Sequence, residues 1–181
     1  MKLRYFLMNL LHRFHLSKRY VDPYLFKKFN EYNEKYFEGC LPHIPIYVDN
    51  SLGFIWGRFE SNTNLITRTI TPLHILLNMK ELKNEEDFLN VFVHEMVHYI
   101  ECLNKQPTKE QWDKACAIRD NNSHLDFSNK IILAGYWKVI NDIINPYRDE
   151  KHSPYFEEFC HMLNELNPEL SLRINWCGPK L

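Results

Sequence analysis

The segment from Asn84 to about Leu103 constrains the fold more than any other part of the chain. Phe88, Leu89, Val91, Phe92, Val93, Met96, Val97, Tyr99, Ile100 and Leu103 leave it apolar on most sides. A helix built from it must lie inside a domain rather than on its surface. Asn84 caps its start, and Glu85, Glu86 and Asp87 put negative charge at the positive end of the helix dipole. A chain of 181 residues, 45% hydrophobic and 14% aromatic, is long enough to bury such a helix in one core.

That buried helix carries His94-Glu95-Met96-Val97-His98, an H-E-x-x-H pattern. Four residues at roughly 100° each bring the second imidazole within about 40° of the first and one turn along the axis, so both rings reach one ion. Zinc suits two neutral imidazoles, and a catalytic site keeps three protein ligands and one open position. Glu95, close by without being a ligand, is placed to act as general base on a zinc-activated water. Nine histidines make a chance match a real alternative. The setting argues against chance, because a glutamate flanked by two histidines in an apolar helix needs a compensating partner such as a metal.

The third ligand has to come from outside the helix. His124, in Ser123-His124-Leu125-Asp126-Phe127, sits in a polar loop after Asn121-Asn122, while His152 directly precedes Ser153-Pro154, a helix start. On spacing and local structure alone the two stand nearly even.

Around the motif helix the pattern is mixed. Leu25, Phe26, Phe29, Tyr32, Tyr36 and Phe37 recur at helical spacing and predict a first core helix over Pro23 to Phe37, stopped by Gly39 and Pro42. Ile44 to Val48, Phe54 to Phe59 and Leu65 to Ile70 read as an antiparallel meander of about three strands, separated by Asp, Asn, Ser and Gly. Leu73 to Met79, after Pro72, fits either a helical turn or an edge strand. Thr108 with Gln111 forms a capping-box start to a helix through Arg119, Phe127 to Ile144 forms another ended by Pro146, and Ser153-Pro154 opens a last one through Leu166. The chain beyond Pro168 reads as irregular. No repeat or long linker divides the sequence.

Several of these pieces resemble the SprT-like (Spartan-type) metalloprotease domain. Phe29-Asn30, Tyr36-Phe37, Gly39 and Leu41-Pro42 look like its opening helix, and Phe92-Val93-His94-Glu95-Met96-Val97-His98-Tyr99 is similar to its motif helix. His152-Ser153-Pro154-Tyr155-Phe156 resembles its third-ligand segment, His-Gly-Pro-x-Phe. The likeness covers about residues 25–166 and favours His152 over His124. It implies an α+β, zincin-type fold with a small antiparallel sheet packed against helices, a single catalytic Zn2+ on His94, His98 and His152, and peptide-bond hydrolysis with Glu95 as base. Members that cleave proteins crosslinked to DNA are gated by DNA, so the resemblance extends to a DNA-repair role. Two departures stand out: Ser153 replaces the usual glycine, and the interval from His98 to His152 is longer than the family's short connection. The extra length reads as a helical insertion at about 104–150 that shapes or covers the substrate cleft. The chain then divides into an N-terminal basic, amphipathic segment 1–22, a metallopeptidase domain 23–168 and a tail 169–181.

Composition limits the partners. Lys and Arg number 22 against 23 Asp and Glu, so no global charge draws the protein to nucleic acid or an anionic membrane. Lys18-Arg19 and Lys27-Lys28 form the one compact basic cluster, where DNA contact would be sought first. Met1 to Leu16 is too short and too interrupted for a membrane span and lacks a cleavage site. The five scattered cysteines, without a C-x-x-C pair, predict buried reduced thiols, a cytoplasmic setting and no second, structural zinc. Trp56, Trp112, Trp137 and Trp176 read as core aromatics, His12 and His15 as a solvated pair, and His43, His74 and His161 as structural. Two other functional classes remain: a catalytically silent zinc-containing protein that docks a protein or DNA partner, and a metal-free interaction domain with a chance motif.

Overall fold

Asp22 and Pro23 set the start of the first helix. The Asp22 carboxylate accepts a hydrogen bond from the Tyr24 backbone N–H at 2.8 Å, and Pro23, which has no N–H to lose, occupies the first turn. This helix, α1 (Pro23–Phe37), ends where Glu38 and Gly39 enter the left-handed region, at φ 54° and 68°. Buried Asn33 then holds the returning chain through both amide groups, to Leu41 O at 2.9 Å and from Leu41 N–H at 3.1 Å. The computed structural model describes residues 20–122, 130–144 and 152–173.

The remaining elements are strands β1 (Tyr20–Val21), β2 (Ile46–Val48), β3 (Gly57–Asn64) and β4 (Thr69–Leu77), and helices α2 (Glu85–Asn104), α3 (Lys109–Asn121), α4 (Lys130–Ile144) and α5 (Pro154–Leu166). The architecture is α+β, with one sheet in the order β1-β2-β4-β3. The predicted meander needs correction. β3 and β4 do pair antiparallel, but β4 lies between β2 and β3 and runs parallel to β2, so the sheet is mixed.

The ambiguous run after Pro72 is the second half of β4, and its last four residues are buried. Pro72 is tolerated because β2 covers β4 only from Ile75 to Leu77, and the β3 register shifts nearby, between Glu60 and Ser61. The connection from β2 to β3 therefore passes over the end of β4. Asp49 N–H donates to Leu77 O at 3.0 Å, and the buried Asn78 amide donates to Gly53 O and Ile55 O at 2.8 and 3.1 Å.

α2 packs on β3, β4 and α5. Phe29 and Leu25 from α1, Ile75 and Leu77 from β4, Phe92, Val93, Met96 and Val97 from α2, and Phe156 and Cys160 from α5 share one buried core. A second, smaller core joins Leu65 to Trp112 and Ala115 of α3 and Ile140 and Ile144 of α4. The helical pair is tied to the β3–β4 turn, where Cys116 Sγ and Arg119 meet Leu65 O at 3.4 and 3.2 Å and Arg68 pairs with Asp113 at 2.8 Å.

Other expectations divide. The helix starts at Asn84, Thr108 and Ser153 are as read. α4 is described from Lys130, and residues 123–129, with His124, lie outside the described residues, as do residues 1–19, including His12, His15, Lys18 and Arg19. Of the segment after Pro168, the described residues 169–173 have no regular structure, yet Leu170 and Leu172 are buried in the main core. Cys116 and Cys160 are buried, but Cys40 is exposed because it follows the turn that ends α1. Trp112 is buried and Trp56 packs on the core, whereas Trp137 on α4 faces outward; Trp176 and Cys177 lie outside the described residues.

Candidate metal centre

The site is assembled where the middle of α2 meets the start of α5. His94 and His98, one turn apart on α2, have ring centroids 5.0 Å apart. The backbone entering α5 carries His152 to the same place, with its ring 5.0 Å from His94 and 5.0 Å from His98. The three imidazoles thus form a nearly equilateral triangle, and one nitrogen from each lies within 4.8 Å of the others. Among the described residues this is the one group of histidine, cysteine and carboxylate side chains arranged in this way.

Local sequence explains how His152 comes to be held there. Ser153 is the N-cap of α5, accepting from Phe156 N–H at 3.2 Å, and Pro154 begins the helix. One turn later Phe156, fully buried, lies beneath the rings: it stacks on His152 at 4.1 Å and His98 at 4.2 Å and meets His94 edge-on at 4.9 Å. The Ser153 hydroxyl also donates to Glu101 on α2.

The burial of the site sets its electrostatics. His94 is 5% exposed. Desolvation, followed by the neighbouring His98 and His152, pushes its pKa well below the ordinary histidine value, against a weaker opposing influence of the Arg173 backbone carbonyl. The ring is therefore neutral, and its buried Nδ1 has no hydrogen-bond partner. A neutral imidazole with an unsatisfied buried nitrogen, grouped with two others, fits a cation of the zinc type.

Glu95 is 6% exposed. Burial raises its pKa, against the lowering influences of His98, a Phe59 backbone hydrogen bond and Arg58. Gly57 of β3 covers it: a Cβ there would stand 2.7 Å from Val91 Cγ1 and 2.9 Å from both Cγ and Oε1 of Glu95. Only glycine lets the strand approach α2 this closely. Glu101 lies one turn beyond His98. Burial alone would raise its pKa, but the nearby His98 ring, the hydrogen bond from Ser153 and the charge of Lys105 hold it below the usual carboxylate value.

Sequence reasoning singled out His94, Glu95, His98 and His152; the structure brings the three histidines together, with Glu95 buried next to His94 on α2. It missed Gly57, Glu101 and Arg173. A glycine inside a β-rich stretch signals close backbone approach, and Glu101, three residues past His98, shares its helix face. Both signals were present. Arg173, on an irregular segment, carried none. Of the other histidines, His74 meets Glu60 at 2.9 Å, while His43 and His161 are exposed.

The fold and site together define an α+β domain with a partly buried three-histidine cluster beside a buried glutamate. The chain belongs to the SprT-like family, which it matches over residues 25–131. That match takes in the motif helix and ends before His152. No curated protein and no solved structure matches the chain at a significant level. None of the described helices is long and apolar enough to cross a membrane.

Proposed function

We propose that the chain is a zinc-dependent metallopeptidase of the zincin type, with His94, His98 and His152 as metal ligands and Glu95 as general base. The observation that carries this reading is the triangle of imidazoles, 5.0 Å on each side, with the Glu95 carboxylate buried alongside it. Zinc, when bound, supplies Lewis acidity to water and to a peptide carbonyl. Glu95 takes a proton from the attacking water and returns it to the leaving amine. Gly57 leaves the space beside β3 that the Glu95 side chain occupies, and Phe156 packs against all three rings. A purely structural zinc site has four protein ligands and no use for a buried base, which weighs against the silent binding protein.

The substrate is a protein, the compartment is the cytoplasm, and the DNA-crosslink role is the narrower form of the proposal. The helical pair α3 and α4, within the stretch 104–150, is the part of the chain we assign to shaping the substrate cleft. The test is cleavage of an unfolded protein by wild type and Glu95→Gln, with and without single- and double-stranded DNA. The variant is expected to keep its zinc and lose on the order of 10²–10⁴-fold in rate. Equal cleavage by both proteins would contradict the catalytic assignment. Cleavage indifferent to DNA would remove the DNA-directed role and leave the peptidase.

A further inference from the structure

The contact between Glu101 and Ser153 joins the two chain segments that make the metal centre. Glu101 is on α2, one turn past His98, and its two oxygens are divided between different partners. Oε1 accepts from the Ser153 hydroxyl and lies 3.6 Å from Lys105 Nζ, while Oε2 faces His98 Nδ1 at 3.9 Å. Ser153 is 1% exposed, directly follows His152, and also caps α5 through the Phe156 N–H. One carboxylate therefore reaches both the ring of one histidine and the residue next to another.

We propose that Glu101 and Ser153 form a clamp that docks the His152 segment onto α2 and orients the His98 ring for metal binding. The proposal rests on the reading of the three histidines as metal ligands. Glu101 and Ser153 are positioning residues, since neither belongs to the ligand set. A carboxylate facing Nδ1 favours the tautomer with the proton on that nitrogen, which leaves Nε2 as the metal-facing donor atom. The hydroxyl adds a second function that the glycine in the family's third-ligand segment could not supply. Glycine has no side-chain donor, so a clamp of this kind requires Ser153. Ordering His152 against α2 before the metal arrives also lowers the entropy lost on binding.

The test measures zinc affinity by chelator competition, alongside thermal unfolding of the metal-free protein, for wild type, Glu101→Ala, Ser153→Ala and the double variant. Glu101→Ala leaves the α5 cap intact, so it separates the clamp from helix capping. The expected result is one zinc per wild-type chain and a dissociation constant about 10- to 100-fold higher in Glu101→Ala, with little change in the melting temperature of its metal-free form. The double variant should be no weaker than the weaker single one, because either change opens the same clamp. With Co2+ in place of zinc, the visible absorption bands of Glu101→Ala should shift. Zinc affinity within twofold of wild type in Glu101→Ala would overturn the clamp and leave the metal centre standing. Wild-type protein that binds no zinc would overturn the metal centre, and the clamp with it.

Discussion

At the scale of single residues, the site depends on one side chain that is absent. Gly57 lies on the first residue of β3, and the Glu95 carboxylate occupies the space a Cβ would need. Gly57→Ala should displace Glu95 while leaving the three histidines in place. The expected outcome is an unchanged zinc content and a proteolytic rate reduced by at least about 10-fold, since a small misplacement of a catalytic group costs up to about 10²-fold. Peptide cleavage and metal analysis on the same preparation check this. A variant with wild-type turnover would show that Glu95 tolerates the shift. The H-E-x-x-H spacing made the pairing of His94 and His98 legible, because residues one turn apart share a helix face. The strand across from Glu95 was harder to foresee, since nothing local says which strand will approach which helix.

At the scale of elements, helix ends were legible because capping is a local interaction. Asn84, Thr108 and Ser153 each accept from a backbone N–H three residues ahead, at 2.7, 3.2 and 3.2 Å. At Thr108 the box is reciprocal, with Gln111 accepting from the Thr108 N–H at 2.8 Å. Asn84→Ala should cost about 1 kcal/mol, read as a lower denaturation midpoint with an unchanged slope. Unchanged stability would mean that burial of α2, rather than its cap, fixes its start. Strand order was not legible. Sequential strands are neighbours more often than not, and Pro72 argued against a strand continuing through it. The outcome depends on Asn78 and Leu77 holding the β2–β3 connection over the end of β4. Those contacts span about 25 residues of sequence and have no periodic trace.

At the scale of the whole molecule, two cores share the β3–β4 hairpin: the main one beneath α2, and the smaller one between its turn and the α3–α4 pair. The thiols report on this arrangement. Burial pushes the Cys160 thiol up to about 12 and the Cys102 thiol up to about 11, so both stay protonated at pH 8 and react poorly. Cys40 is exposed. Under native conditions at pH 8, Cys40 should be alkylated first among the described cysteines, with Cys160 following only on unfolding; mass spectrometry of the labelled peptides reads the order. Early labelling of Cys160 would mean that α5 does not stay docked on α2. That docking is also what delivers His152, which lies beyond the stretch matched to the SprT-like family. The most direct test of the account is therefore the zinc content of His152→Ala beside wild type. One zinc per wild-type chain and less than about a tenth of that in the variant, as loss of one of three ligands implies, is the predicted result. A full equivalent of zinc retained by His152→Ala would contradict it and return His124 as the third ligand.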